Sequence, residues 1–320
     1  MVEMTSERKP YVISEDTHIL LAEWARKKRF IIPNQKFFRG LRNEMREYLE
    51  GIFGTDNVDM VSASELRRGM KRLIQKTRLP AISMDRVYIR TNPEIQVARL
   101  VNEDLEDCSF GPRFGMPPIE RQLMSVKEKH KEIALVDDVI FSGKVISQIL
   151  LALEKIGVEV PIVVAGITIG EGAKRLKEET NSVLLTIRYY KDVIDEICER
   201  DFYPGVPLSG RLVKRWERES HFAICPAGHS EEYFNYHLVD TAKEMGAPYL
   251  YPFGKPHEWA SIPKDEEKNF SVFCLQETIK LWDEIERLSG KTVRCCDLER
   301  IPLGLPHDKS RFIGCLKSLL

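Results

Sequence analysis

IALVDDVIFSGKVISQILLALEKIG, residues 133–157, decides how the rest of the chain is read. Four apolar residues lead into two adjacent carboxylates, Asp137 and Asp138. A short loop containing Ser142 and Gly143 follows. Val145, Ile146, Ile149, Leu150, Leu153 and Ile156 then recur at the spacing of one helical face, and Gly157 stands where a helix usually stops. The stretch therefore predicts strand, loop, helix. In open α/β sheets ligands bind at the carboxyl ends of strands, which is where Asp137 to Gly143 fall. Small residues before a helix let backbone N–H groups approach an anion closely.

Working outward, DRVYIRT (85–91), VPIVVAGIT (160–168) and SVLLTIR (182–188) are further strand candidates, separated by helix-like segments. Continuous apolar strands alternating with helices argue for a mostly parallel sheet covered on both faces. The expected fold class is α/β. Residues 15–77 read as helical, from EDTHILLAEWARKKRF through ASELRRGMKRLIQK, and ETIKLWDEIERLSG (277–290) as an amphipathic helix ended by Gly290. The expected organisation is a helical segment 1–79, a core 80–220, and an extension 221–320 of irregular α+β character.

The chain has 320 residues, 30% of them charged, with Lys plus Arg at 48 against Asp plus Glu at 49. This balance advertises neither a nucleic-acid surface nor a membrane surface. No apolar run approaches the ~18 residues of a spanning helix, and MVEMTSERKP lacks a secretory core, so a cytoplasmic location is expected. Seven cysteines lack paired spacing, which suits free thiols. Cys225 and His229 in CPAGH are two ligand types and make no zinc site by themselves.

A Walker phosphate loop would need Gly where Asp138 stands and Ser or Thr where Val145 stands. A receiver domain would need another strand-end Asp that VLLTIRYY does not offer. The pattern of four apolar residues, two acids, two apolar residues and a small-residue turn closing into a helix instead resembles the phosphoribosyl pyrophosphate signature of the type I phosphoribosyltransferases. The resemblance implies that Asp137 and Asp138 hold the ribose hydroxyls and help hold Mg²⁺. It implies that Phe141, Ser142, Gly143, Lys144 and Val145 wrap the 5′-phosphate. Ionised carboxylates are strong acceptors for a vicinal diol. Two letters depart from the family: Val145 replaces a hydroxyl residue, and Phe141 stands where purine-salvage members place a catalytic Asp.

The same resemblance, which spans about residues 80–215, sets expectations for the other parts in order. Arg90 and Thr91, at the end of DRVYIRT, would contact pyrophosphate. CSFGPRFGMPP (108–118) would be a flexible lid bringing Arg113 to the leaving charge. ERDFYPGVPLSGR (199–211) resembles the hood over the base, with Phe202 or Tyr203 stacking, Asp201 near the metal and pyrophosphate, and Arg211 as an anion partner. His257 and Trp259 are candidates to line a pocket in the extension. The implied reaction is Mg²⁺-dependent displacement of pyrophosphate from phosphoribosyl pyrophosphate by a nitrogen nucleophile, and the resemblance extends to a homodimer, the state of many family members. A protein that senses phosphoribosyl pyrophosphate or a nucleotide without chemistry is the rival reading.

Overall fold

The computed structural model describes residues 8–214 and 245–320. Twelve strands occur among them: β1 (Tyr11–Ser14), β2 (Val58–Val61), β3 (Ala81–Ser83), β4 (Val97–Val101), β5 (Asp107–Pro112), β6 (Glu132–Ile140), β7 (Glu159–Ile169), β8 (Val183–Tyr190), β9 (Asp195–Cys198), β10 (Arg211–Val213), β11 (Met245–Ala247) and β12 (Ile301–Pro302). They form three sheets, in the orders β3-β6-β7-β8, β2-β1-β9 and β12-β11-β10-β4-β5. Every pairing in the first two is parallel. In the third, β4 runs antiparallel to β5 and parallel to β10.

The first sheet is the one the sequence announces. Successive side chains on a strand face opposite ways. Accordingly Val136 and Val164 join one apolar cluster, while Leu135, Val163 and Ala165 join another. Helix α3 (Ala63–Thr77) lies against β7 and β8, contributing Leu66 and Met70 to the first cluster. Helices α5 (Lys144–Lys155) and α6 (Gly170–Glu179) also pack against this sheet, and Ile146, Ile149, Leu150 and Leu176 belong to the second cluster. Helix α4 (Ile119–Lys129) adds Ile119, Leu123 and Val126 to that second layer.

Residues 1–79 are not simply helical. Helices α1 (Thr17–Lys28) and α2 (Gln35–Phe53) are as expected, but YVIS and VDMV are parallel strands paired in register with each other, and β1 also pairs with β9. The larger apolar cluster runs across residues 79 and 220: it holds Tyr11, Trp24, Phe202, Phe270, Trp282 and Phe312 together. Trp24 meets Trp282 edge-on at 5.2 Å, and Trp282 meets Phe312 at 5.5 Å, so the C-terminal segment is packed directly on α1. The indole N–H of Trp282 donates to the Pro204 carbonyl at 3.0 Å. The helix expected at 277–290 extends back to Glu267 and ends at Gly290, as predicted, in a left-handed cap.

DRVYIRT is a loop, and the core strand precedes it at Ala81–Ser83. The cause is Asp85: its buried carboxylate accepts the backbone N–H groups of Val87, Tyr88 and Ile89 at 2.5, 2.8 and 2.7 Å. Those donors are the ones a strand ladder would have used, so the chain turns around the carboxylate instead.

Candidate active site

After the exposed Glu132, Ile133 to Val136 are fully buried in β6, and solvent reaches the strand again at Asp137, Asp138 and Val139. The strand runs two residues beyond the acids, and Asp137 still pairs with Ala165 of β7. Only Phe141 to Gly143 separate β6 from α5. Gly143 takes a left-handed φ of 73°, and a Cβ there would sit 3.1 Å from the carbonyl of Gly172. Gly172, in the first turn of α6, faces the loop even more closely: a Cβ would lie 2.5 Å from the Phe141 carbonyl. Arg175 secures the same loop by donating from Nε to the Ser142 carbonyl at 2.7 Å. The turn is thus seated on α6 from below. Gly172→Ala is expected to displace it and weaken phosphate binding at least about tenfold, with modest loss of stability, since a backbone clash cannot be relieved by a side-chain rotation. Unchanged affinity for inorganic phosphate in this variant would count against the loop as an anion site.

The first helical hydrogen bond of α5 runs from the Ser147 N–H to the Gly143 carbonyl at 3.0 Å, and no side chain caps the helix. The N–H groups of Lys144, Val145 and Ile146 precede it and point out of the helix end, the arrangement that receives an anion. Lys144 is exposed at this end. Phe141 packs partly against the larger apolar cluster and Val145 against the smaller one, so each departure from the signature serves packing.

Around the acids, the carboxyl ends of β1, β6 and β9 converge. Tyr88 donates its hydroxyl to the Glu15 carbonyl at 3.0 Å, tying the Asp85 loop to the end of β1. Asp16 accepts the backbone N–H of Arg200 at 2.9 Å and pairs with its guanidinium, tying β1 to the segment after β9. Asp137 and Asp138 keep some solvent access although protein surrounds Asp137 closely, the geometry of a cleft. Burial raises the Asp137 carboxyl well above the ordinary carboxylate range, and the neighbouring Asp138 and Asp85 raise it further. Asp85 is pushed up to about 7 by burial and by Asp138, against its three backbone donors.

Arg113 and Arg200 lie within electrostatic reach of these acids. Arg113 follows β5, and Arg300 comes from near the C-terminus. Arg300 is anchored by Nη1 donating to the carbonyls of Leu208, Ser209 and Gly210 at 3.1, 2.9 and 2.9 Å. Burial lowers Arg113 to about 10, and the fields of Arg200 and Arg86 add to it. Burial lowers Arg300 to about 9, with Arg113 and Arg200 contributing. The mutual effects mean that Arg113, Arg200 and Arg300 lie within each other's electrostatic reach. The Nε atoms of Arg113 and Arg200 are buried without a hydrogen-bond partner. Like charges held together with unused donors suit a multiply charged anion.

The sequence-predicted residues divide accordingly. Asp137, Asp138, Ser142, Gly143, Lys144 and Arg113 lie at this cleft or its loop. Arg90 turns away, pairing with Glu94 at 3.1 Å and Glu23 at 3.7 Å. Thr91 is structural: its hydroxyl accepts the Ser83 N–H and donates to the Pro93 carbonyl. The first half of the expected lid is strand β5, leaving 113–118 as the loop. Phe202 and Tyr203 are fully buried, Phe202 edge-on to Phe270, so neither ring has a face free to stack on a ligand. Asp201 is buried and accepts the Gly210 N–H at 2.8 Å. Arg211 pairs with Asp107 at 3.4 Å and stacks 4.7 Å from the Trp259 ring. His257 is held by Glu267, which accepts its backbone N–H at 3.1 Å and pairs with its ring Nδ1. Cys225 and His229 lie outside the described residues. Arg200, Arg300 and Glu196 were not anticipated: their only sequence signal is a charge embedded in apolar surroundings, as in DEICERDF and LERIPLG.

Several carboxyls near the cleft share one electrostatic signature. Burial is the main cause in each case: Asp195 is pushed up to about 6, Asp16 and Asp85 to about 7, and Glu196 to about 8. The folded chain therefore binds these protons more tightly than the unfolded chain does. Their contribution to stability is complete below about pH 4 and is lost as pH rises through 6 to 8. His18, lowered by burial and Arg42, works in the opposite direction for a single group. The urea midpoint is expected to fall between pH 5 and pH 8.5, and a midpoint that rises over this range would contradict the burial of these acids.

The fold and site define an α/β protein whose parallel sheets are flanked by helices, with an acid-and-arginine cleft at the strand ends. Neither a protein-family model nor a curated protein matches the chain. Among solved structures, the UMP synthase of Leishmania donovani is similar over 39% of this chain and 26% of that one, at 12% identity and a TM-score of 0.23. A likeness that slight carries no argument. Among the described residues no helix is long and apolar enough to cross a membrane.

Proposed function

We propose that the chain is a phosphoribosyltransferase of the type I kind, which binds phosphoribosyl pyrophosphate and transfers its ribose phosphate to a nitrogen nucleophile. The observation that carries this reading is the juxtaposition at the end of β6: two adjacent carboxylates, a three-residue turn into an uncapped helix N-terminus, and buried arginines, Arg113 and Arg200, within electrostatic reach of the acids. Vicinal hydroxyls, a monophosphate and a pyrophosphate are the chemical complements of those three features.

In this reading Asp137 and Asp138 accept hydrogen bonds from the ribose hydroxyls and fix the sugar. The turn from Phe141 to Gly143 and the first N–H groups of α5 take the 5′-phosphate, with Lys144 adding charge. Arg113, Arg200 and Arg300 stabilise the negative charge that grows on the pyrophosphate as the C1′–O bond lengthens. Phe141 cannot accept a proton. Glu196, bonded by the Ser14 hydroxyl at 3.0 Å and within reach of Asp138, is the cleft carboxyl suited to take one from an N–H nucleophile.

Among the described residues no group of three or more His, Cys, Asp or Glu side chains is arranged to hold a metal ion. Mg²⁺ asks for less than that, since it commonly takes one or two carboxylates together with substrate phosphates. Asp137 and Asp138 fit this donor set, and a cation there would relieve the repulsion that raises Asp137. Bound Mg²⁺ would neutralise pyrophosphate charge.

Pyrophosphate release from phosphoribosyl pyrophosphate, measured with Mg²⁺ and a panel of bases and amines, tests the assignment. Release with at least one acceptor is expected. A sensor that binds the same ligand without turnover is the second reading, favoured by Phe141 and Val145, which place packing groups where the family has reactive ones. Tight binding with no release on any acceptor would select it, and absence of binding would reject both.

A further inference from the structure

Cys295 and Cys315 are thiols that the phosphoribosyl reading leaves unused, and the fold brings them together. The Cys295 thiol donates to the Cys315 sulfur at 3.8 Å. The backbone around both is pinned: the Cys295 N–H donates to the Ser310 carbonyl at 3.0 Å, the Phe312 N–H to the Val293 carbonyl at 2.9 Å, and the Cys315 N–H to the Arg311 carbonyl at 3.2 Å. A disulfide holds its sulfurs about 2 Å apart, so the approach still required is about 2 Å, within the swing of two side chains about their Cα–Cβ bonds. The pair is asymmetric. Cys295 is fully buried, whereas Cys315 is partly open to solvent, so a dissolved oxidant reaches Cys315 first. Burial pushes the Cys295 thiol up to about 12, and the hydrogen bond and charge of Cys315 push the same way. The buried thiol is therefore inert while Cys315 is reduced, and both contributions of Cys315 vanish once that sulfur is oxidised.

We infer that Cys295 and Cys315 are a reversible oxidation site for hydrogen peroxide, whose intramolecular disulfide locks the helix Phe312–Lys317 to the segment leading to Arg300. In the first step the Cys315 sulfur attacks the peroxide: a sulfur–oxygen bond forms, the oxygen–oxygen bond breaks, and the thiol proton leaves with the departing oxygen as water. In the second, the Cys295 sulfur attacks the resulting sulfenic acid. A sulfur–sulfur bond forms, the sulfur–oxygen bond breaks, and the hydroxyl leaves with the Cys295 proton as a second water. The two thiols together give up two electrons, and the peroxide is reduced to two waters. A dithiol reductant reverses the link by exchange. The place matters because chain ends fray unless they are tied down. Phe312, Ile313 and Leu316 are fully buried, with Phe312 edge-on to Trp282 at 5.5 Å. On the other side of the link, the Trp24 indole N–H donates to the Asp297 carbonyl at 2.9 Å, and Arg300 holds three carbonyls. The staple would thus join the last helix to a segment already fastened to α1 and to the cleft. It stands independently of the phosphoribosyl reading.

Peptide mapping of the folded, full chain after titration with hydrogen peroxide provides the test. Remaining thiols are alkylated in denaturant, and trypsin then releases CCDLER (295–300) and FIGCLK (312–317). The two peptides are expected to appear joined, lighter than their sum by the two hydrogens lost, and to separate with dithiothreitol. Cys296→Ser should keep the link, which assigns it to Cys295. Cys295→Ala should leave Cys315 as a sulfenic acid that dimedone captures, and Cys315→Ala should leave Cys295 as a free thiol. The thermal midpoint of the parent should rise by about 5 °C on oxidation and return with dithiothreitol, while neither alanine variant responds. Peptides that stay separate at peroxide concentrations already oxidising the exposed Cys296, or a link lost in Cys296→Ser, would overturn the site. A link that forms without raising the midpoint would overturn the lock.

Discussion

Asp137→Asn combined with Asp138→Asn is expected to lower affinity for phosphoribosyl pyrophosphate by about two to four decades in calorimetry while leaving the chain folded. Each carboxylate lost removes a hydrogen bond to a charged acceptor, worth about 1.5–3 kcal/mol, and each 1.4 kcal/mol is a factor of ten. Stability should not fall in proportion. Asp137 is held in a state where burial, Asp138 and Asp85 all oppose its charge, and an amide of the same shape escapes that cost. Arg200 keeps its partner Asp16 in the variant, so the arginines opposite are not left wholly uncompensated. The distinctive result is therefore a folded protein with an unperturbed or raised denaturation midpoint and no ligand binding. Undiminished affinity would remove the acid pair from the site and with it the phosphoribosyl reading.

The part of the site that the sequence made legible is the part encoded locally. The apolar runs IALV and VPIVVAGI lie within strands of nine and eleven residues, β6 and β7, and the face from Val145 to Ile156 forms α5, because period and burial agree over a long enough window. β1 and β2 were hidden by length. Four residues beside long helices carry no period, and the place of β1 between β2 and β9 depends on a pairing with β9 about 180 residues away in sequence. The loop at 85–91 had a strand-like composition, but one carboxylate captured three backbone donors and overrode it.

The arginine side of the cleft was illegible for a different reason. Arg113, Arg200 and Arg300 are brought together only by packing between segments nearly two hundred positions apart. The aromatic residues of ERDFYPGVPLSGR looked like a ligand surface because Gly and Pro surround them. They are instead the large side chains that fill the cluster between the N-terminal helices and the helix Glu267–Ser289, where Phe202 meets Phe270 and Trp282 donates to Pro204. A short, irregular stretch can be aromatic because the core on either side of it needs volume, and composition alone does not separate that from a binding hood.

Glu199→Ala is expected to destabilise the chain by about 3–5 kcal/mol, the cost of leaving a buried ion pair half empty. Glu199 is 2% exposed and receives the Arg42 guanidinium at 2.8 and 3.1 Å. It also accepts the Asp16 and Thr17 N–H groups at 3.1 and 3.2 Å, satisfying donors at the start of α1 that no local side chain caps. One carboxylate thus joins α1, α2 and the segment after β9. Glu199→Gln keeps the shape and some of the hydrogen bonds, so it should cost less, while Arg42→Met with Glu199→Leu removes both charges and should recover much of the loss. Urea denaturation of the three variants checks this order, and a cost below about 1 kcal/mol for Glu199→Ala would show that water replaces the carboxylate easily. The functional consequence follows from Asp16, whose N–H on Glu199 and carboxylate on Arg200 link this anchor to that guanidinium. When α1 loosens, Asp16 no longer fixes that guanidinium, so the variant should lose pyrophosphate affinity as well as stability, even though Glu199 itself takes no part in the cleft.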